Sequence, residues 1–191
     1  MKTPILKTDR LILRPVSFDD APAIQKYFNN WNIIQQLPKE VPWPYPEGAA
    51  EYYMKEDLFP RIESGDTHSW VLALKEGDGE AIGSIEFRLK KARDGNRGFW
   101  LAEPYWRQGL MSEALFPVHE FVFGALGVTE FTVCNAIGND KSTRVKEKTG
   151  AVLEGIIDLP HHNGMDQAEL WSVTKDSWER VKDSKTSRVR A

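Results

Sequence analysis

The residues from Phe99 to Leu115 constrain the fold most, because three changes of local structure fall within this one stretch. The apolar residues 99–101 are typical of a strand, Pro104 predicts a turn, and Gly109 predicts a loop. From Leu110 onward, apolar residues recur at the spacing of an amphipathic helix. The first turn of a helix carries unpaired N–H groups and the positive end of the helix dipole. The stretch therefore predicts an anion-binding site.

The residues on either side of this stretch predict an α/β fold. In order they indicate a strand, two helices, three strands, a helix, a strand, a helix and two strands. Strands joined by short turns such as Gly77-Asp78-Gly79 indicate an antiparallel meander ahead of the glycine loop. We expect a single domain over residues 1–180 and a basic C-terminal tail over residues 181–191. Such a tail is more often a frayed end than a contact patch.

Composition and charge exclude several classes of function. The chain of 191 residues is 41% apolar and 28% charged, as is usual for a soluble globular protein. Its formal net charge of −3 argues against general nucleic-acid binding, and no apolar run reaches membrane-spanning length. The single cysteine, Cys134, excludes an intrachain disulfide and, with only four histidines, argues against a metal site. We expect a cytoplasmic protein without metal, nucleic-acid or membrane partners.

The glycine loop resembles the acetyl-CoA loop of the GNAT acetyltransferases, whose pattern Gln/Arg-x-x-Gly-x-Gly/Ala joins the fourth strand to the third helix. The likeness is greater to the branch of ribosomal-protein N-terminal acetyltransferases, where the segment is typically Tyr-Trp-Gly-Lys-Gly-Tyr-Ala-Thr-Glu-Ala. The matching residues here are Tyr105, Trp106, Gly109, Glu113 and Ala114. The Arg-Leu-x-Leu-Arg-Pro motif at residues 10–15 and Asp-Asp-Ala at 19–21 resemble the opening of the same branch.

Two positions of the loop depart from the family pattern. Arg107 stands where glycine is usual, and Met111 adds bulk where a pyrophosphate would approach. The resemblance nevertheless implies a GNAT-like α/β fold, with a mixed, mainly antiparallel sheet flanked by helices, and acetyl-CoA as cosubstrate. The residues that it assigns to acetyl-CoA binding are Trp100, Leu101, Ala102, Arg107, Gln108, Gly109, Leu110, Met111, Ser112, Asn139 and Ser142.

A second segment, residues 139–151, resembles the family pattern Asn-x-x-Ala/Ser-x-x-x-x-Glu-Lys-x-Gly-Phe. The matching residues are Asn139, Ser142, Glu147, Lys148 and Gly150, whereas Ala151 replaces the phenylalanine. The resemblance implies that the asparagine holds the pantetheine arm. By itself, asparagine before a helix is most often a plain N-cap.

The resemblance also bears on the acid that protonates the departing CoA thiolate. Many family members use a tyrosine seven positions after the asparagine, where this chain has Lys146. We expect that lysine, near a helix end, to be drawn to carbonyls and solvent. Ser142 lies where the ribosomal-protein branch has a serine near the thiol, and it is the preferred acid. The alternative for Ser142 is a solvent-facing helix residue.

The family reaction is direct attack of a neutral amine on the acetyl thioester. It needs a proton acceptor for the amine and a backbone N–H, near Leu101, for the developing oxyanion. Glu86, at the end of a strand beside the expected substrate site, is the candidate base that we select, with Asp94 as a second. For both carboxylates an exposed surface position is the common alternative. His161 and His162 are weaker candidates.

The segment from residue 31 to residue 46 carries Trp31, Trp43 and Tyr45 among four prolines. The prolines predict an extended, stiff loop. In the resembling family this region lies over the substrate, and the alternative is a set of aromatics that cap the core. An aromatic lining disfavours a polycation, so the expected acceptor is the amine of a peptide N-terminus or of a small molecule.

Two other classes of function stay open at this point. The chain could bind acetyl-CoA without turnover, as Met111 and Lys146 suggest, or it could be an interaction domain with an incidental glycine loop. The state of association, monomer or homodimer, is likewise open.

Overall fold

The computed structural model describes residues 1–92 and 94–189. Its strands are β1 Leu6–Lys7, β2 Leu11–Pro15, β3 Thr67–Leu74, β4 Gly83–Ala92, β5 Gly95–Leu101, β6 Glu130–Ala136, β7 Val152–Asp158 and β8 Gln167–Thr174. Its helices are α1 Ala21–Phe28, α2 Trp31–Ile34, α3 Ala49–Tyr53, α4 Phe59–Glu63, α5 Leu110–Glu120, α6 Asp140–Lys148 and α7 Lys175–Val189. Single π-helical turns, Met54–Leu58 and Phe121–Ala125, follow α3 and α5.

The eight strands form one sheet in the order β1-β2-β3-β4-β5-β6-β8-β7. The strands from β1 to β5 pair antiparallel as a meander, and β8 pairs antiparallel with both β6 and β7. Between β5 and β6 the described ladder has one pair, Gly95 with Val133. The sheet is therefore held together at the start of β5 and opens toward the end of that strand. The predicted α/β class and the mainly antiparallel sheet are confirmed.

Alternate side chains along the meander strands are buried in separate cores on the two faces of the sheet. Leu13, Leu72 and Phe87 belong to the main core, which they share with the apolar face of α5. On the other face Val71 packs with Met54 beneath the first helices. The period of two along a strand assigns neighbouring residues to opposite layers. Helices α5 and α6 both contribute side chains to the main core, so they lie on the same side of the sheet, beside the opening.

Two elements differ from the sequence-based expectations. Residues 31–34 form the short helix α2, because the Asn30 side chain accepts a hydrogen bond from the Asn32 N–H at 2.8 Å and caps it. The chain is also helical from Lys175 to Val189, so residues 181–189 of the predicted tail continue a helix and are not a frayed end. The end of the predicted tail, residues 190–191, lies outside the described residues.

Candidate active site

A cavity of about 790 Å³, here called the cleft, fills the opening between β5 and β6. Its walls come from the end of β5, the following loop, the start of α5, the middle of β6 and the inner face of α6. Of the residues predicted to bind acetyl-CoA, Trp100, Leu101, Asn139 and Ser142 line it. Elements 30 to 40 residues apart in sequence thus meet around one cavity.

The predicted loop residues form the wall at the start of α5. Gly109 caps this helix in the left-handed conformation, with φ of 76°, and it lines the cleft with Arg107, Leu110, Met111 and Ser112. Arg107 also has positive φ, 62°, which is the conformation that a glycine would adopt without strain. The backbone here suits the glycine of the family pattern, and in this chain arginine adopts it.

Met111 does not obstruct the loop in the way its size suggests. The side chain is only 5% exposed and packs into the main core beneath α5. Its bulk is therefore directed largely away from the outer side of the loop, where the first N–H groups of the helix are found. Met111 reaches the cleft as part of its apolar wall.

A carboxylate from the first turn of α5 fastens the loop to the start of the chain. Glu113 accepts hydrogen bonds from the Thr8 hydroxyl at 2.5 Å and from the Arg10 backbone N–H at 2.9 Å. The Arg10 guanidinium pairs with the same carboxylate at 2.6 Å. This arrangement places an arginine beside the glycine loop and stabilises the N-terminus of the helix.

The mouth of the cleft is rich in positive charge. Arg107, Lys141, Arg144 and Lys148 line it, accompanied by one carboxylate, Asp140. The ammonium group of Lys141 lies 3.8 Å from the centre of the Trp106 ring. Together with the α5 N-terminus, these side chains form a region suited to phosphate groups.

The end of β5 offers a backbone donor inside the cleft. The Ala102 N–H bonds to the Ile82 carbonyl at 2.8 Å, on the β4 side. Because successive N–H groups of a strand face opposite edges, that of Leu101 faces β6 and the opening. The Leu101 carbonyl accepts a hydrogen bond from the Trp106 indole at 2.6 Å. The indole therefore fixes the strand end that carries this donor.

Two predicted cofactor-binding residues lie away from the cleft wall. Ala102 is fully buried behind the strand, and the Gln108 amide bonds to the Pro104 carbonyl at 3.1 Å. The Asn139 side chain accepts a hydrogen bond from the Ser142 N–H at 3.2 Å, so it acts as the N-cap of α6. Asn139 still lines the cleft, and its amide N–H₂ is not part of this cap.

The expectation for Lys146 is wrong. Its side chain is 1% exposed, lines the cleft, and donates from Nζ to the Ser142 hydroxyl at 2.7 Å. The residues lie one helical turn apart, on the face of α6 that the cleft covers. Burial, and then the nearby Arg97, hold the pKa of Lys146 well below its ordinary value. Tertiary packing, not proximity to the helix end, decides where this lysine lies.

The preferred candidate base, Glu86, does not line the cleft. One of its carboxylate oxygens pairs with Arg61 at 2.8 Å, and the other accepts the Tyr53 hydroxyl at 2.9 Å. Asp94 and His161 do line it. Asp94 also pairs with Arg88 at 2.9 Å. The structure thus brings the second candidate and one of the weaker candidates to the cavity, and directs Glu86 toward α3 and α4.

His161 is held in one ring orientation. Its Nδ1–H donates to the Leu159 carbonyl at 2.6 Å, which leaves Nε2 as the unprotonated nitrogen of the neutral ring. Burial lowers the pKa of His161, although Glu40 and Asp94 oppose this shift. An isolated bridge between His161 and Pro38 fixes the β7–β8 hairpin against the proline-rich segment.

The aromatic residues of that segment take two different positions. Tyr45 is buried and packs edge-on against Phe28, which in turn packs against Trp100. Trp31 and Trp43 contact each other at 5.1 Å between ring centres, and each is about 40% exposed. None of the three lines the cleft, although Leu37 and Pro38 of the same segment do. Tyr45 caps the core, whereas the tryptophan pair stays on the surface.

Residues 10–152 match the family described as "Acetyltransferase (GNAT) domain". The chain belongs to the GNAT acetyltransferase family. A Bacillus subtilis (strain 168) protein named uncharacterized N-acetyltransferase YoaA is 31% identical over 183 residues, which cover 90% of this chain and 97% of that protein. The family match confirms the predicted membership.

Solved structures of low sequence identity share the fold. Ribosomal-protein-S5-alanine acetyltransferase from Vibrio fischeri has a TM-score of 0.75 at 21% identity, covering 92% of this chain and 98% of that one. Mycobacterium smegmatis RimJ in complex with CoA-disulfide has a TM-score of 0.78 at 17% identity, covering 95% and 94%. These likenesses confirm the GNAT-like architecture.

As a member of the GNAT family, this chain is an N-acetyltransferase with acetyl-CoA as its acetyl donor. Within residues 1–92 and 94–189, no group of three or more side chains is arranged to hold a metal ion. Among these same residues there is no helix of the length and apolar character needed to cross a membrane.

Proposed function

We propose that this protein acetylates the α-amine of a peptide or protein N-terminus by direct attack on acetyl-CoA bound in the cleft. The observation that carries the proposal is the cleft itself, which joins a basic mouth at the start of α5 to a pocket at the hairpin. A donor entering from one end and an amine from the other would meet beside Leu101. The small-molecule amine is the second candidate acceptor.

The donor half of the proposal rests on the wall formed by α5 and α6. Acetyl-CoA lies with its pyrophosphate at the N–H groups of residues 107–112 and its other phosphate among the cations of the mouth. The pantetheine arm passes Asn139, and the thioester carbonyl accepts the Leu101 N–H. That donor is already positioned by the strand, so it stabilises the oxyanion without rearrangement.

The acceptor half rests on the hairpin and the proline-rich segment. Asn32, Gln36 and Asp94 supply polar groups there, and His161 supplies a neutral imidazole nitrogen. We assign to His161 the role of accepting the proton of the attacking amine, because Glu86 is engaged by Arg61 and Tyr53. A base whose pKa lies below neutrality is unprotonated at physiological pH and ready to act.

Two features favour a peptide over a small molecule. The exposed Trp31–Trp43 pair lies beside the hairpin, since Trp31 contacts the His162 ring at 6.1 Å between ring centres. Exposed aromatic pairs are common binding surfaces for chain segments. The named fold neighbour that acts on ribosomal protein S5 is also consistent with a protein acceptor.

The test is release of CoA thiol from acetyl-CoA in the presence of peptides that differ only at the N-terminus. We expect release with a free α-amine and none with the same peptide blocked by acetylation, although an internal lysine is retained in both. Mass spectrometry locates the added acetyl group. Turnover only with small amines would select the second candidate. Binding of acetyl-CoA without turnover would indicate a cofactor-binding module. The absence of acetyl-CoA binding by calorimetry would indicate an interaction domain.

A further inference from the structure

Three basic side chains lie buried together on the α5–α6 side of the cleft. Lys146 is 1% exposed, Arg97 is 3% exposed, and His119 is fully buried. Arg97 and Lys146 line the cleft, and His119 lies behind Arg97 on α5. Sequence inspection gives no hint of the group, because its members come from β5, α5 and α6.

The Arg97 guanidinium is incompletely satisfied. Nη1 donates to His119 Nε2 at 2.6 Å, whereas Nε and Nη2 have no hydrogen-bond partner among the described residues. The guanidinium lies 5.5 Å from the centre of the Phe99 ring and 5.8 Å from that of Phe131. Burial lowers its pKa to about 9, which still leaves the group charged at neutral pH. A buried cation with orphan donors is costly unless an anion or acceptor enters beside it.

The reaction supplies one anion at this depth of the cleft. In the proposed function the phosphates of acetyl-CoA lie at the exposed mouth, and the thioester sulfur lies deeper, where Leu101 and Ser142 line the cleft. When the C–S bond breaks, its electron pair stays on sulfur. The cations lie on the α5–α6 side of the opening, and the carboxylate Asp94 lies toward the hairpin. The thiolate is therefore the anion that this cluster is placed to meet.

We propose that Lys146, acting through the Ser142 hydroxyl and backed by Arg97, receives the leaving sulfur as a thiolate and supplies its proton. This inference rests on the proposed function and deepens it. Ser142 is the group that contacts the sulfur, and Lys146 acts on it through the 2.7 Å hydrogen bond. Arg97 stabilises the negative charge at longer range.

The step balances in protons and electrons. The amine nitrogen bonds to the thioester carbon, and the C–S bond breaks with its electron pair on sulfur. The Ser142 hydroxyl proton moves to sulfur while a Lys146 proton moves to Oγ, which leaves a neutral lysine. The acceptor nitrogen has meanwhile lost a proton to the base at the other end of the cleft. Lys146 regains a proton from water after the products depart.

The charges around Lys146 favour this exchange. Arg97 on β5 joins burial in lowering the pKa of Lys146, whereas Cys134 on β6 and Glu169 on β8 oppose the shift. His119 on α5 faces Arg97 and is held neutral, because burial keeps its pKa well below the ordinary value. A lowered pKa makes the Lys146 ammonium a stronger acid, which favours release of its proton toward the leaving sulfur.

The test measures the thiol of bound CoA and does not require the acceptor. The absorbance of the thiolate is followed against pH for CoA bound to the protein. The same titration with desulfo-CoA, which lacks the thiol, corrects for the absorbance of Cys134 and of the tyrosines. We expect the bound thiol to ionise about one pH unit or more below free CoA, as thiols beside buried cations do. In Lys146→Met the midpoint should rise most of the way toward that of free CoA, because only the longer-range charge of Arg97 remains.

Two variants serve as controls. Lys75→Met removes an exposed lysine outside the cleft, and the thiol of CoA bound to this variant should ionise at the same pH as in the wild type. Ser142→Ala keeps the cation and should keep part of the shift while slowing turnover. Replacing a buried charge by methionine is compatible with folding, which thermal unfolding will verify.

Equal midpoints in wild type and Lys146→Met, with CoA bound to both, would overturn the inference and leave the proposed function intact. Equal midpoints for bound and free CoA in the wild type would overturn it as well. Failure of the wild type to bind CoA would instead refute the proposed function.

Discussion

Gly109→Asp should weaken acetyl-CoA binding much more than Gly109→Asn does. Gly109 adopts a left-handed conformation, with φ of 76°, that asparagine and aspartate tolerate better than other residues with a side chain. A Cβ at this position would have the Arg10 guanidinium as its nearest atom, at 3.8 Å, so the Cβ of either variant makes only an ordinary van der Waals contact. The two side chains have the same shape, and their difference isolates a negative charge at the proposed pyrophosphate site.

The size of the effect follows from the exposure of the loop. Two unit charges about 4 Å apart repel by about 1 kcal/mol in water and by about 4 kcal/mol at an effective dielectric constant of 20. Gly109 is exposed, and Arg10 would offset part of the new charge. We therefore expect a difference of about 1–2 kcal/mol, which is roughly a 5- to 30-fold loss of affinity.

Calorimetric titration of acetyl-CoA into both variants measures this difference directly. The gap between them should narrow at high ionic strength, because salt screens exposed charges. Wild-type affinity in both folded variants would mean that the pyrophosphate lies elsewhere. A loss of binding in Gly109→Asn as large as in Gly109→Asp would mean that the side chain's size, not its charge, matters.

Three further predictions address the base, the loop and the packing of the last helix. Wild-type kcat/KM should decline below about pH 8 as the peptide α-amine is protonated and, because burial lowers the pKa of His161, should show a second decline below about pH 6.5. His161→Gln should lower turnover about 10²- to 10⁴-fold and remove that second decline; an unchanged pH profile would exclude the role. Glu113→Ala should cost about 1–2 kcal/mol of unfolding free energy, measured with urea, since it removes the carboxylate that fastens α5; no loss would contradict this. Gly150→Ala should destabilise more than Gly127→Ala by about 1–3 kcal/mol, because its Cβ would lie 2.8 Å from the Ser177 carbonyl, whereas that at Gly127 meets nothing within 4 Å. Both glycines have positive φ, so equal melting temperatures would refute the steric argument.

The parts of the fold that could be predicted are those set by local periodicity and turn chemistry. The strands of the meander, the helix after Gly109 and the cap at Asn139 each depend on residues within a few positions of one another. The short helix α2 was missed because its proline-rich surroundings favour an extended chain, whereas the Asn30 cap stabilises a helix locally.

The candidate site was predictable only in part, for the same reason. Residues of the glycine loop and of α6 could be assigned from two short motifs. Asp94 and His161 belong to no motif. His161 reaches the cleft because the β7–β8 hairpin pairs with Pro38, whereas Asp94 reaches it from the residue before β5. Glu86 has the chemistry of a base, but Arg61, from a helix 25 residues earlier, engages it.

By itself, the sequence determined the order of the elements, the anion-binding start of α5 and the family to which the chain belongs. Only the tertiary structure decided which ionisable groups are buried and which partners they have. Lys146 shows the difference, because its neighbours in sequence favour solvent, whereas the cleft, Ser142 and Arg97 surround it with protein. Burial depends on contacts between distant segments, and the pKa values on which chemistry depends follow from burial.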